Sequence, residues 1–148
     1  MTGNMLGASI ATCSNGLYKR NRPHAFPDLL ALKKPARPLE LKVALEKNRP
    51  KAHLPKPGTF ITFRYVLGNR DGHFQNGKIS RGDTVWLWEI KVGKLTAEDY
   101  DLSNTEGDSG KTAVIKSEKF NSGMKLVYFV PEFCPYKVGR EKPYPGFN

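Results

Sequence analysis

The sequence predicts a mainly β fold, in which a small antiparallel barrel (OB-like or SH3-like) carries an extended, partly helical basic N-terminal arm. The barrel is predicted by five or so short runs of β-branched and aromatic residues after residue 57, separated by turns rich in Gly, Asn and Asp. The arm is predicted by proline: seven of the eleven prolines lie in the first 57 residues, where they exclude a continuous helix or a sheet interior. A chain of 148 residues has room for one such domain.

Composition divides the chain into three segments. Residues 1–57 hold 11 Lys or Arg against 3 acids, which is most of the net charge of +10. Residues 58–131 are nearly neutral and rich in aromatics, and they form the predicted barrel. Residues 132–148 are predicted to form an extended aromatic and proline-rich tail, packed on the surface through Phe133, Tyr136, Tyr144 and Phe147.

The arm contains two segments with regular patterns. Residues 28–34 predict a short helix, since an acid begins it, cations end it and Pro35 follows. In residues 38–48 apolar and polar residues alternate with the period of a strand, but the residue types and Pro38 at a first helical position favour a helix slightly. Three prolines then predict an extended linker over residues 48–57.

In the body, residues 59–67, 84–92, 111–118 and 124–130 are predicted strands, with a further short strand at 73–74 or 78–80. Residues 93–111 are predicted to be a loop containing one helical turn capped by Thr96. On the first strand we expect the core face to be Ile61, Phe63, Tyr65 and Leu67. On the second strand we expect it to be Trp86, Trp88, Ile90 and Val92.

Cations on an extended backbone can follow a phosphate backbone, and exposed aromatic rings on a sheet can stack on bases. This favours a non-enzymatic nucleic-acid-binding protein, with single-stranded nucleic acid or structured RNA as its partner, because no recognition helix is evident. The face assignment leaves Phe60, Arg64, Phe74 and Lys91 as the exposed candidates of the barrel. The full predicted interface is Lys19, Arg20, Arg22, Lys33, Lys34, Arg37, Arg49, Lys51, Lys56, Phe60, Arg64, Phe74, Lys78, Arg81 and Lys91.

Two alternatives remain open at this point. The protein is a structural subunit of a large ribosomal or viral assembly, with its arm threading between protein neighbours, or it is a small ribonuclease. In the nuclease, His73 is the acid, Glu89 is the base, and Arg64 or Arg81 steadies the phosphate.

Other chemistry has little support in the sequence. The three His and two Cys residues are dispersed, without the spacing of a metal site, and no glycine-rich phosphate loop is present. We therefore expect no catalytic residues, no metal and no cofactor.

The expected location is intracellular, in the cytoplasm or an organelle matrix, without secretion and without a membrane partner, since no run of apolar residues is long enough to span a bilayer. Residues 1–27 contain no acid, which is typical of a targeting segment, but no amphipathic helix is evident in them.

Overall fold

The computed structural model describes residues 2–73, 82–103, 112–136 and 144. Within these ranges it contains one α-helix and nine strands, joined by short 3₁₀ and π turns. The elements are α1 Thr2–Cys13, β1 Tyr18–Arg20, β2 Leu29–Ala31, β3 Glu40–Leu45, β4 Lys51–Ala52, β5 Gly58–Gly68, β6 Thr84–Leu95, β7 Tyr100–Ser103, β8 Thr112–Ile115 and β9 Lys125–Phe129.

The strands form three sheets. The main sheet has the order β3-β5-β6-β9, a second has the order β4-β8-β7, and β1 and β2 form a two-stranded hairpin. All pairings are antiparallel except that of β3 with β5, which is parallel. The fold is therefore mainly β, as predicted, but the described residues form no closed barrel.

Both faces of the main sheet are covered. On one face, α1 and the β1–β2 hairpin pack over β3 and β5, in a cluster built around Leu29, Leu41 and Phe63. On the other face, β7 and β8 cover one end, around Phe60 and Ile115. Phe133, Tyr136 and Tyr144 of the predicted tail pack on the remaining part, in a cluster built around Val66 and Trp88. Phe147 lies outside the described residues. The main sheet is thus the central layer of the molecule.

Two of the arm predictions are wrong. Residues 28–34 contain strand β2 instead of a helix, because Leu29 is fully buried and its backbone exchanges two hydrogen bonds with Leu39. Residues 38–48 contain strand β3 instead of the favoured helix. There the alternating pattern prevails over helix propensity, because pairing with β5 satisfies the backbone and buries Leu41. The predicted extended linker over residues 48–57 is confirmed only for the strand β4. The chain bends at residues 53–54, and the backbone N–H of Lys56 donates to the Leu54 carbonyl at 2.9 Å.

No amphipathic helix is evident in the sequence of the first 27 residues, but the structure contains α1 there, a helix of 12 residues. Its side chains Leu6, Ile10 and Ala11 lie on one side and pack against the cluster around Leu41 and Phe63. Small and polar residues interrupt this apolar stripe, which explains why the sequence pattern does not display it.

The predicted strands of the body are confirmed, with β5, β6, β8 and β9 at the expected places. The capped turn is confirmed as well: the backbone N–H of Thr96 donates to Asp99 Oδ2 at 2.7 Å. Strand β7 was not predicted and lies inside the predicted 93–111 loop. The predicted short strand at 73–74 or 78–80 falls outside the described residues, apart from His73, which is not in a strand.

The core-face prediction for β5 holds for Phe63, which is 2% exposed, while Ile61, Tyr65 and Leu67 are half-buried. The opposite row, Phe60, Thr62, Arg64 and Val66, is the more deeply buried, with exposures of 0–1%. On β6 the prediction holds for Trp88, which is fully buried, while Glu89 beside it is fully buried too. A β-bulge explains this, because Arg64 pairs with Glu89 and Tyr65 with Leu87, leaving Trp88 as the extra residue.

Candidate nucleic-acid interface

Six of the predicted cations lie on the β1–β2 hairpin and its flanking turns. All six are exposed, and residues 18–37 contain a single acid, Asp28. We call this surface the hairpin patch: Lys19, Arg20, Arg22, Lys33, Lys34 and Arg37. Its net charge of +5 follows from six cations and one carboxylate.

The hairpin patch is held by the fold. Ser14 and the left-handed residues Asn15 and Gly16 turn the chain from α1 into β1, where the backbone N–H of Tyr18 donates to Ser14 Oγ at 3.0 Å. Lys19 pairs with Leu30 across the hairpin, and Arg20 lies over α1, its Nη2 3.5 Å from Asn4 Oδ1. The cations are therefore displayed on an ordered scaffold.

In the part of the chain that the structure describes, no ion pair engages the cations of the hairpin patch. Among the described residues, ion pairs form between Arg49 and Asp101, Arg64 and Glu89, and Lys119 and Asp99, and none of them involves a patch cation. Clustered cations without counter-charges attract polyanions, and they also repel one another.

The other predicted arm cations do not share one surface role. Arg49 is partly engaged, since its Nη1 donates to the Ile115 carbonyl at 2.9 Å and lies 3.6 Å from Asp101. Lys51 is exposed on β4. Lys56 is exposed as well, with its Nζ 4.7 Å from the ring centroid of Phe26.

Three of the predicted barrel residues do not face solvent. Phe60, Arg64 and Lys91 have exposures of 1%, 1% and 2%, so the prediction that they form an open binding face is wrong. The physical reason is that β7, β8 and the C-terminal segment cover this face of the sheet. Phe74, Lys78 and Arg81 lie outside the described residues.

Arg64, Glu89 and Lys91 are hydrogen-bonded within the interior. Arg64 donates from Nε to Glu89 Oε1 at 2.8 Å and from Nη2 to Oε2 at 2.5 Å. Its Nη1 donates to the Lys47 carbonyl at 3.2 Å, and the Tyr144 hydroxyl donates to Glu89. Lys91 donates from Nζ to the Phe120 carbonyl at 2.7 Å.

Aromatic rings enclose this group. The Arg64 guanidinium carbon lies 4.4 Å from the Trp88 centroid and 4.8 Å from that of Phe120. Although burial lowers it, the pKa of Arg64 is raised overall by the hydrogen bonds and charge of Glu89. Burial lowers the pKa of Lys91. These cations stabilise the interior and are not available to phosphates.

A second feature, missed by the sequence analysis, is a pocket of about 120 Å³ beside β3. We call it the β3 pocket. Its polar wall is formed by Glu40, Lys42, His53 and Lys56. Its apolar wall is formed by Ala52, Leu54 and Phe60. The strand alternation of residues 38–48 already puts Glu40 and Lys42 on one face, but no pattern indicates that residues 52–56 lie opposite them.

Glu40 is the buried carboxyl of the β3 pocket, with 7% exposure. Burial, followed by a hydrogen bond to Asp28 and the negative charge of that residue, raises the pKa of Glu40 to about 7. Asp28 is held nearby because its Oδ2 accepts the backbone N–H of Leu41 at 2.8 Å.

The two residues predicted as acid and base of a nuclease, His73 and Glu89, differ in their exposure to solvent. His73 is exposed in the turn that begins at Asn69, whose side chain accepts the His73 N–H at 3.0 Å. Glu89 is fully buried and bonded to Arg64 and Tyr144, so its carboxylate cannot reach a hydroxyl of a bound strand. Arg81 lies outside the described residues.

In the described part of the chain, His, Cys, Asp and Glu side chains form no group of three or more suited to a metal ion. Both cysteines are free thiols, Cys13 exposed and Cys134 half-buried. In the same residues, no helix has the length and apolarity needed to cross a bilayer.

Comparison with known proteins adds no relative: no protein-family model, no curated protein and no solved structure matches this chain.

Proposed function

We propose that this protein is a non-enzymatic nucleic-acid-binding protein that holds single-stranded nucleic acid or structured RNA through the hairpin patch. The observation that carries the proposal is the set of six exposed cations on one ordered hairpin, without an ion pair to any described residue. A phosphate backbone offers regularly spaced negative charges, and its binding releases condensed counterions.

The position of the cations favours binding over a general solubilising role. The described part of the body also exposes lysines, including Lys94, Lys116 and Lys125, but it exposes acids such as Glu98 and Asp101 as well. The hairpin patch has one acid among six cations, and the hydrogen bond from Leu41 engages it with the backbone of β3. A concentrated positive surface next to a nearly neutral body is typical of nucleic-acid-binding proteins.

The alternative of an arm that threads between subunits of an assembly receives less support. Leu29, Leu39 and Leu41 of the arm are buried against Phe63 of the protein's own main sheet. These three leucines are not available to neighbours, whereas Leu17, Leu32 and Leu54 of the arm remain exposed. The nuclease alternative receives no support from Glu89, because this predicted base is enclosed in the interior.

The salt dependence of binding tests the proposal. Fluorescence anisotropy with a labelled unstructured RNA should show a fall in affinity of about 300-fold between 50 and 200 mM salt if about six phosphates are contacted. The triple variant Lys33→Gln, Lys34→Gln, Arg37→Gln should leave a fall of only about 20-fold, since about three contacts remain.

A matched control separates position from net charge. The variant Lys94→Gln, Lys116→Gln, Lys125→Gln removes the same charge from exposed positions of the body and should bind as the parent does. Equal losses in the two triple variants would mean that overall charge attracts the strand and that the hairpin patch is not the interface. Affinity independent of salt would end the proposal.

A further inference from the structure

The start of β2 is fastened to β3 by a short antiparallel pairing. The backbone N–H of Leu29 donates to the Leu39 carbonyl at 2.9 Å, and the N–H of Leu39 donates to the Leu29 carbonyl at 3.0 Å. Next to this bridge, Asp28 Oδ2 accepts the backbone N–H of Leu41 at 2.8 Å. The Asp28 carbonyl accepts the N–H of Asn21, which directly follows β1, at 2.9 Å. Asp28 therefore joins both strands of the hairpin to the main sheet.

The same pairing brings two carboxyl groups together. In an antiparallel ladder the residues next to a bridging pair also stand opposite each other, so Asp28 faces Glu40. Glu40 is 7% exposed, and its carboxyl hydrogen-bonds to that of Asp28. Two ionised carboxylates have no proton to share, and like charges placed directly opposite each other destabilise a strand pairing. A proton on this pair therefore stabilises the attachment of the hairpin.

The pair loses its proton near neutral pH. Burial, followed by the hydrogen bond to Asp28 and the charge of that residue, raises the pKa of Glu40 to about 7, against a smaller lowering by Lys42. The charged and titratable groups around Glu40 are Asp28 of the hairpin, Lys42 of β3, His53 and Lys56 of the segment after β4, and Tyr100 of β7. The new negative charge thus arises beside the one acid of residues 18–37, the segment that carries the hairpin patch.

We propose that Asp28 and Glu40 form a proton-operated latch, which fastens the hairpin to β3 while the pair holds a proton and loosens it when both carboxyls are ionised. The latch regulates the binding of nucleic acid by the hairpin patch, and this part of the inference rests on the proposed function. Loss of the proton weakens the attachment of the hairpin and adds a negative charge near its cations. Both effects lower the affinity for a polyanion, and by reciprocity a bound polyanion favours the protonated pair.

Hydrogen exchange tests the latch without nucleic acid. The amides of Leu29, Leu39 and Leu41 are released when the hairpin lifts from β3, whereas the central amides of β6 are released when the whole sheet unfolds. The three hairpin amides should therefore be less protected than those of β6. Equal protection of both groups would mean that the hairpin does not open by itself, which would overturn the latch.

The pH dependence of this exchange identifies the carboxyl. When the hairpin lifts, Glu40 regains its ordinary pKa of 4.5. Relative to intrinsic exchange rates, the protection of the hairpin amides should fall about 20-fold between pH 5.5 and 7.5. Glu40→Gln keeps a hydrogen-bonding side chain but has no proton to lose, so its protection should stay constant over this range.

Two further variants separate the pair from burial and from net charge. Asp28→Asn removes the like charge but keeps an oxygen for the Leu41 N–H, so the fall in protection should be smaller than in the parent. Glu98→Gln removes a carboxyl from an exposed position outside the hairpin and β3, and it should leave the fall unchanged. Thermal unfolding at pH 5.5 verifies that each variant is folded. A fall as large as the parent's in Glu40→Gln or in Asp28→Asn would overturn the latch.

Binding of the labelled unstructured RNA tests the regulation. From pH 5.5 to 7.5 the affinity ratio of Glu40→Gln to the parent should rise about two- to fivefold, since one phosphate contact contributes about fivefold at about 0.1 M salt. Titration of the histidines is common to both proteins and cancels in the ratio. A constant ratio with salt-dependent binding would remove the regulation and leave the proposed function standing. Absence of RNA binding would end the proposed function and the regulation with it, while the exchange experiment would still decide the latch.

Discussion

Arg64 of β5 and Glu89 of β6 stand directly opposite each other in the centre of the main sheet, joined by two hydrogen bonds and screened from solvent. The Arg64 guanidinium lies against three aromatic rings from different parts of the chain, those of Trp88, Phe120 and Tyr136. This ion pair belongs to the interior, because β7, β8 and C-terminal residues cover the face that was predicted to bind nucleic acid.

The buried charges of Arg64 and Glu89 should be energetically coupled, because removing either one leaves the other unpaired. Glu89→Leu leaves the Arg64 guanidinium buried without its counter-charge, and we expect a loss of about 3–5 kcal/mol in the free energy of unfolding. The double variant Arg64→Leu, Glu89→Leu should cost clearly less than the sum of the two single variants. Urea denaturation measures all three, and strictly additive losses would contradict a coupled pair.

The hydroxyl of Tyr144 should stabilise the same carboxylate. Tyr144→Phe keeps the ring packed on Tyr136, at 5.3 Å between centroids, but removes the donor to Glu89. We expect a loss of about 1–3 kcal/mol, since a buried acceptor loses a partner. Tyr128→Phe removes a hydroxyl from a side chain of the same sheet that is 45% exposed, and it should change stability by about 0.5 kcal/mol or less.

Alkaline titration gives this variant a second signature. Burial, followed by the charge of Glu89, raises the pKa of Tyr144 above its ordinary value of 10. The unfolded chain therefore loses this proton first, and stability falls as the pH rises above about 10. In Tyr144→Phe the decline should be shallower, and an unchanged slope of stability against pH would contradict the assignment.

The strands of the body could be predicted from sequence. Which row of β5 is the more deeply buried could not. Alternation identified two rows on that strand, and the row with Phe63 is the more apolar one. The choice between rows depends on pairing: the bulge at Trp88 brings Arg64 opposite Glu89, which allows a charged row to be buried. A partner 25 positions away in the chain leaves no local signal.

In the arm, the sequence alone could not predict the strand β3. Its residue types favour helix at Leu39, Leu41 and Leu45, and only parallel pairing with β5 makes the strand the better structure. The six cations of the hairpin patch could be identified by composition alone, because exposure is the usual state of Lys and Arg. The β3 pocket could not, since Glu40 and Lys56 meet through the crossover from β3 to β5.

The stability of the protein should decline with pH in a window set by Glu40. Its pKa rises from 4.5 to about 7 on folding, mainly through burial. The unfolded state therefore releases its proton first, so the stabilising contribution is complete below pH 4.5 and is lost as the pH rises through 7.

Glu40→Gln tests this assignment, because an amide has no proton to lose in that range. We expect the parent to lose on the order of 3 kcal/mol relative to the variant between pH 4.5 and 7. Urea midpoints at several pH values provide the measurement, and the same slope in both proteins would assign the pH dependence to other groups.

Burial of Leu29 should control both the hairpin and its presentation of charge. Leu29 is fully buried with Leu41 and Phe63, while Leu32, which directly follows β2, is 49% exposed. Leu29→Ala should cost about 2–5 kcal/mol through the cavity it leaves, whereas Leu32→Ala should change stability by about 0.5 kcal/mol or less. Because neither variant alters charge, a lower RNA affinity in Leu29→Ala at a temperature where it remains folded would show that the cations need the hairpin to present them. If that variant is destabilised but binds RNA as the parent does, an ordered hairpin is not required for binding.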